Sequence, residues 1–473
     1  MTVLRKFSTP WFWASLAGIW LLSLGLRFWG LSRFNTLVFD EVYFATFGHN
    51  YLTHTSFFDA HPPLGKYMIA LGIWLKGFNP FGYRWMNAFV GSLIPLVIAG
   101  IAYQLNHRRS YALIAALFAT ADGLLLVESR YALINVYLLI FGLLGHWFLL
   151  LALDHSGRQR WFWLTFSAVA LGGSAAVKWN GLGFLLGIYL TWFCGLIGVK
   201  LLKFSRLLVP TAASLPLQSL TQLHPLQLFI YIPAIATLVY RLIWIPHLQQ
   251  NPVPGLWELQ KQMLAYHERV GNGPKVHPYC SSWYTWPWML RPVDYFYQRG
   301  ANLAEPMPVI GPPLPTGATK IVYDVHAIGN PALWWFSTLA ILILIGLLAQ
   351  KIWGWATLNS VTSRLNQVRP TRTEEFWVPL YLVSNYAANL LPWLDVSRCT
   401  FLYHYMPAAV FSLLGIAWLV DRWLQSYQKG LGILGLTVIF LILAALVFWL
   451  PIYLGLPLSP QGFQMRMWFR SWI

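Results

Sequence analysis

Long apolar runs recur along the whole chain, and no other feature limits its fold so tightly. Crossing the hydrocarbon core of a bilayer takes about 20 consecutive, mostly apolar residues in a helix. Runs near that length lie at 11–31, 85–105, 111–127, 131–152, 162–177, 179–199, 226–246, 332–350, 376–394, 400–420 and 430–452. The expected fold is an all-α polytopic membrane protein with about eleven transmembrane helices. Only 10% of the residues are charged, against about 25% in soluble domains. The chain 1–473 therefore reads as a single integral membrane unit. The breaks near 128–130 and 177–179 are short enough for interrupted helices or re-entrant hairpins.

The formal net charge is +17. No nucleic-acid-binding motif accompanies it, and membrane topology explains it better. Arg5 and Lys6, Arg108 and Arg109, Arg158 and Arg160, Lys200 to Arg206, Lys351 to Arg372, and Arg422 with Lys429 all fall on one side of the expected spans. Basic short loops mark the cytoplasmic side. The N-terminus is then inside, its basic start leading into an uncleaved first helix, and the C-terminus is outside. Two longer loops, 32–84 and 247–331, fall on the outer face. Cys194, Cys280 and Cys399 are odd in number and widely spaced, with no CxxC. That pattern argues against a disulfide framework or a zinc site, and no metal-ligand cluster is evident in the sequence.

The first outer loop contains "VFDEVYFATFGHNYLTHTSFFDAHPPLGKYMIALG". Phe44, Phe47 and Tyr51 are spaced for a helix lying at the interface. Asp40 before that helix has two readings: an N-cap satisfying free backbone N–H groups, or a general base at a partly dehydrated surface. An N-cap accounts for one acid, not for the adjacent Glu41. His61-Pro62-Pro63 with Lys66 reads either as a turn into a helix or as a phosphate contact. The second outer loop is rich in Trp, Tyr and Pro, with Trp and Tyr suited to the membrane–water boundary.

Glu128, Ser129 and Arg130, then Lys178, then Arg398, Tyr403, His404 and Tyr405 stand at the ends of expected spans. Each alone is explained by snorkelling or anchoring. Together they place acids and cations on one face, where ionisable groups are costly and functional. Such a face suits group transfer from a lipid-linked phosphate donor. A carboxylate takes a proton from an acceptor hydroxyl, and the cations stabilise the departing phosphate.

At these residues the chain resembles the protein O-mannosyltransferases, enzymes of the GT-C glycosyltransferase superfamily that use polyprenyl- or dolichyl-phosphate-mannose. "FDEVYF" resembles the family's Asp-Glu motif and "DAHPPLGK" its His-Pro-Pro-Leu segment. "ESRYALI" resembles the Ser-Arg motif, "KWNGLG" the Lys-Trp motif, and "HPYCSSWYTWPWMLRPVDYFY" the large-loop signature. "GNPALWWF" and "VSRCTFLYHYMPA" resemble two late motifs. The resemblance implies a GT-C fold with outer-face interfacial helices and an inverting transfer of mannose to Ser or Thr hydroxyls of secreted or membrane proteins. It implies Asp40 as catalytic base, Glu41 as an acceptor-binding or orienting acid, and Arg130 as an arginine close to the donor phosphate or to Asp40. His61, Lys178, Arg291, Arg398 and His404 are donor-site candidates. The expected substrate is polyprenyl-phosphate-mannose, with no cofactor, no metal and no nucleic acid, in the plasma (inner) membrane of a bacterial-type enzyme. Asn135 stands where many relatives have Asp, so a second acid is missing there, and Tyr43 stands where relatives often have His. The loop at 247–331 is too short for the β-trefoil domain of eukaryotic members.

Rival readings are another GT-C transferase acting on a lipid or glycan acceptor, a transporter with charges lining its pathway, and a non-catalytic scaffold. Transfer to Asn would call for a Trp-Trp-Asp signature, and Phe336 follows the Trp pair here. A transporter predicts duplicated halves, and no internal repeat is visible.

Overall fold

The computed structural model describes residues 9–204, 219–269, 271, 276–300, 321–357 and 374–473. The basic stretches expected at Arg5 and Lys6 and between 358 and 372, the side chains of Lys200, Lys203 and Arg206, and most of the irregular loop at 207–225 lie outside them.

The apolar runs form helices α1 (Thr9–Phe28), α4 (Pro80–Asn106), α5 (Arg109–Thr120), α7 (Asn135–Asp154), α8 (Gly157–Val177), α9 (Leu182–Phe204), α10 (Ile232–Gln250), α12 (Pro331–Thr357), α13 (Glu374–Leu390), α14 (Met406–Leu424) and α15 (Lys429–Leu454). Among the described residues, eight helical segments are long and apolar enough to cross a membrane. The other three expected spans coincide with α5 and α13, which are shorter, and α8, which is less apolar. α14 is almost wholly buried between its neighbours, whereas α1, α10 and α15 present most of their surface outward. Outward apolar faces are what lipid-facing helices require.

Local chemistry fixes several helix starts. Asn79 accepts a hydrogen bond from the Gly82 N–H at 2.9 Å, with Pro80 following it. Asp122 caps α6 (Gly123–Glu128) by accepting from the Leu125 N–H at 2.7 Å. Its other oxygen accepts from the Trp334 indole at 2.5 Å, which ties α6 to α12.

The long connections gather at one end of the bundle. α2 (Glu41–Leu52) and α3 (Leu64–Lys76) lie between α1 and α4, and α2 agrees with the interfacial spacing. The Tyr51 hydroxyl is 2.7 Å from His247 Nδ1 at the end of α10. The next segment, α11 (Leu256–Arg269), places His267 Nε2 3.0 Å from the Ala60 carbonyl. Gly65 lets α3 approach closely, since a Cβ there would stand 2.8 Å from Ile134.

One expectation needs correction, and one element adds to the helical fold. Cys280 and Cys399 form a disulfide, although their spacing argued against one. They lie 119 residues apart, and only the fold brings their Cα atoms to 5.2 Å. A main-chain bond from the Ser281 N–H to the Thr400 carbonyl, and a bond from the Thr400 hydroxyl to the Ser281 carbonyl, close the same junction. The fold is also not wholly helical. The second long loop holds an antiparallel hairpin of β1 (Val293–Gly300) and β2 (Ile321–Ala327). Asp294 pairs with His326 and Phe296 with Val325, leaving Tyr295 as the extra residue of a bulge.

Candidate active site

Asp40 occupies the N-cap position of α2, yet its side chain makes no capping bond. The bland reading of this acid is therefore set aside. Its carboxylate lines a small recess with Phe39, His61, Asn135, Lys178, Tyr295 and Tyr403. Phe39, just before it, has φ of 51°. That left-handed conformation is unfavourable for a bulky residue and is a mark of sites where geometry is held by the surroundings. The Phe39 ring stacks on Tyr295, 4.3 Å between centroids and 10° from parallel. Burial pushes the Asp40 carboxyl up to about 6, and the nearby Lys178 charge opposes that shift.

Glu41 points elsewhere. It is fully buried, and its oxygens accept from Arg84 at 2.7 and 2.8 Å. The Val38 and Ala132 N–H groups also donate to it, each at 2.8 Å. Glu41 thus joins the start of α2 to α4 and to the segment before α7. It does not line the recess with Asp40.

Lys178 follows the end of α8, where the chain breaks before α9. Its ammonium lies 3.4 Å from Asn135 Oδ1 and 3.4 Å from His404 Nε2, and 5.3 Å from the Tyr403 ring centroid. The His404 Nδ1 lies 3.0 Å from the Phe401 carbonyl and 3.1 Å from the Phe401 N–H, which fixes the ring with Nε2 toward Lys178. Burial lowers Lys178 to about 8, with the Arg398 charge acting in the same direction. His61 is held well below its ordinary value by burial first and by Lys178 second. The Trp286 ring stacks on His404, 6.0 Å between centroids and 18° from parallel, and so couples the disulfide-linked loop to this cationic side.

The remaining candidates separate. Lys66 is buried in an ion pair with Asp59 and donates to the His61 carbonyl at 2.7 Å, so it shapes the His-Pro-Pro turn. Arg398 lies beside an open cavity of about 260 Å³ lined by both disulfide cysteines, and donates to the Cys399 carbonyl at 3.1 Å. Its charge acts on both Lys178 and His61. Arg291 donates to the Pro278, Ser471 and Ile473 carbonyls and fastens the C-terminal residues to the loop. Arg130 is committed to the end of α1. Its guanidinium donates to the Leu26, Arg27 and Trp29 carbonyls at 2.8–2.9 Å, and to Gly30 at 3.3 Å. Neither Arg291 nor Arg130 lines the recess with Asp40.

The sequence reading counted a missing acid at Asn135, and the fold supplies one nearby. Glu128 is fully buried, accepts from Asn135 Nδ2 at 3.2 Å and is hydrogen-bonded to the Tyr295 hydroxyl. Burial pushes it up to about 7, and the Asp40 charge adds to that rise. Asn135 thus bridges Glu128 and Lys178, donating to one and accepting from the other. Tyr295 was missed, since its place depends on a hairpin that the sequence did not reveal. Tyr43, the other departure, is exposed. Among the described residues, one cluster has metal-ligand chemistry: Asp294, Asp324 and His326 on the hairpin. That too was not evident in the sequence, since its members come from two strands.

The recess holds about 20 Å³, room for a water-sized group rather than a sugar. As arranged, it brings a carboxylate without a hydrogen-bond partner among the described residues, a lysine and a histidine to one place. That set can accept a proton on one side and stabilise an anion on the other.

Comparison with known proteins follows the same lines. The family described as dolichyl-phosphate-mannose-protein mannosyltransferase matches residues 17–82 and 77–248. The C-terminal four-transmembrane region of protein-O-mannosyltransferase matches 253–472. The chain is 27% identical to a polyprenol-phosphate-mannose–protein mannosyltransferase of Mycolicibacterium smegmatis, over 97% of this chain and 93% of that one. A second relative of that description, from Corynebacterium glutamicum, is 26% identical over 87% of this chain and 81% of its own. In fold the chain is similar to the S. cerevisiae protein O-mannosyltransferase Pmt1–Pmt2 complex bound to the sugar donor. That match has a TM-score of 0.76 at 14% identity and covers 99% of this chain and 93% of the other.

Proposed function

Because the chain belongs to the protein O-mannosyltransferase family, with the GT-C fold, we propose that the Asp40 recess transfers mannose from a polyprenyl-phosphate donor to Ser or Thr hydroxyls of proteins. The observation that carries this reading is the convergence on one recess of Asp40, uncapped, and Lys178, which His404 contacts at 3.4 Å.

In the proposed step the acceptor hydroxyl gives its proton to the Asp40 carboxylate. Its oxygen bonds to mannose C1 as the C1–O bond to phosphate breaks, with inversion from a β-linked donor to an α-linked product. The polyprenyl phosphate leaves with the bonding electron pair. Because phosphate departs as an anion, a positioned cation serves it and no general acid is needed. Lys178, seated by Asn135 and His404, is that cation, with Arg398 and His61 beside it. Glu41 and Arg130 hold the backbone that frames the site. A positioned base contributes about 10²–10⁴-fold, and one preorganised charge-stabilising donor about 2.7–4 kcal/mol.

The disulfide supports placing this end of the bundle on the non-cytoplasmic side of the plasma membrane, since disulfides persist in oxidising compartments. A donor held in lipid and an acceptor arriving from water meet at such a boundary. The reading includes one membrane unit without a β-trefoil domain.

The test is mannose transfer from polyprenyl-phosphate-mannose to a Ser/Thr-rich peptide by the purified chain in lipid. Wild-type transfer and its near-total loss in Asp40→Asn are expected. Equal activity of the two would remove Asp40 from the chemistry. Folded wild-type protein that transfers another sugar, or transfers to a lipid, would redirect the substrate assignment.

A further inference from the structure

The hairpin carries a second cluster that the transfer step does not use. Asp294 on β1 lies opposite His326 on β2, and Asp324 precedes His326 by two residues, on the same face of the strand. A carboxylate oxygen from each Asp and a ring nitrogen of His326 lie within 4.8 Å of one another. Asp324 and His326 are 1% and 2% exposed. Asp294 Oδ1, Asp324 Oδ2 and His326 Nε2 are each buried without a hydrogen-bond partner among the described residues. The Phe296 main chain hydrogen-bonds Asp294, and two contacts are long: the Tyr279 hydroxyl is 3.4 Å from Asp294 Oδ2, and His326 Nδ1 is 3.5 Å from Asp324 Oδ1. The nearby Arg291 guanidinium is committed to main-chain carbonyls and lies over the Tyr279 ring.

Buried polar atoms are almost always satisfied, and an orphan on each of three clustered metal-ligating side chains calls for a ligand. Two adjacent carboxylates repel, and one imidazolium neutralises only one of them. A divalent cation answers both problems together. We propose that Asp294, Asp324 and His326 form a binding site for a divalent transition-metal cation of the Zn²⁺ or Mn²⁺ class. Two oxygens and one imidazole nitrogen, with water completing the shell, match the donor preferences of such ions. Ligands at about 2.0–2.2 Å from a tetrahedral ion stand about 3.3–3.6 Å apart, so binding draws the three residues slightly together.

The consequence reaches the recess through the next residue. Tyr295 is the bulged neighbour of Asp294, and it meets both Glu128 and Phe39. An ion clamping β1 to β2 fixes where Tyr295 stands. Its role is positioning, and the site stands whether or not the recess transfers mannose.

The full chain, purified without a polyhistidine tag, is stripped with chelator and titrated with ZnCl₂ or MnCl₂. Bound metal is counted by mass spectrometry after desalting, and thermal unfolding is followed in parallel. About one ion per chain and a higher Tm are expected for wild type. Asp324→Asn and His326→Gln should each lower affinity by at least about tenfold and abolish the Tm rise. No bound ion in folded wild type overturns the proposal, as does undiminished binding in both variants. A shared proton is the rival occupant; it predicts no stoichiometric metal and an Asp324→Asn variant more stable than wild type with or without metal.

Discussion

Glu41 Oε2 lies 2.7 Å from Arg84 Nη2, and both side chains are wholly buried. One residue earlier, Asp40 makes no capping bond and faces the recess. Two adjacent acids have therefore been given opposite tasks by their surroundings. Neutralised and hydrogen-bonded on every side, Glu41 anchors the start of α2, which leaves Asp40 available for chemistry.

Removing one partner of such a pair strands the other. Glu41→Gln is expected to destabilise the fold by about 3–5 kcal/mol, read as a lower Tm and less monodisperse protein. Adding Arg84→Met removes the stranded charge and should restore part of the loss. A Glu41→Gln protein with wild-type Tm and impaired transfer would instead place Glu41 in the chemistry.

Asp40 must be ionised to accept a proton, and burial raises it to about 6. Transfer should therefore rise with pH through about 6 and level off above it. At pH 5 only about one-tenth of the protein carries the base form. Asp40→Asn should cost about 10²–10⁴-fold in turnover. A flat rate from pH 5 to 7 in wild type would count against this assignment.

Lys178 works in the other direction. In the proposed step its charge holds the phosphate, and burial lowers it to about 8. Donor affinity should fall as pH rises through that value. Lys178→Arg keeps the charge to higher pH and should flatten this alkaline limb even if its turnover is lower. Lys178→Met should lose about 10²–10³-fold in kcat/KM. An unchanged alkaline limb in Lys178→Arg would assign it to another group.

The Cys280–Cys399 bridge closes a long loop over the cationic side of the site. Its removal in a Cys280→Ser, Cys399→Ser double variant should cost about 2–5 kcal/mol. Reductant should lower the Tm of wild type and leave that of the double variant unchanged.

The parts legible in the sequence were those set by local pattern. Apolar runs placed the helices, and the spacing of Phe44, Phe47 and Tyr51 placed α2. Asp40, His61, Lys178 and His404 could be singled out because polar groups beside apolar runs are conspicuous. What the sequence did not show was pairing at a distance. Arg84 lies 43 residues from Glu41, and Cys399 lies 119 from Cys280. The hairpin was hidden because its strands are separated by residues 301–320, within a loop read for its Trp and Pro content. With the hairpin went Tyr295 and the three-residue cluster beside it. Arg130 and Arg291 looked like site cations, but side-chain type alone does not distinguish a ligand contact from a bond to a main-chain carbonyl.

Arg130 shows why that distinction matters for a mutational survey scored by product alone. Its guanidinium gathers the carbonyls at the end of α1, so an Arg130 variant and an Asp40 variant can both read as inactive for unrelated reasons. On the proposed mechanism one lacks a proton acceptor in an intact enzyme; the other has lost the splice that holds the first helix to the rest. Measuring the amount of folded protein in the membrane beside the yield of product separates the two classes, and gives each silent variant its proper cause.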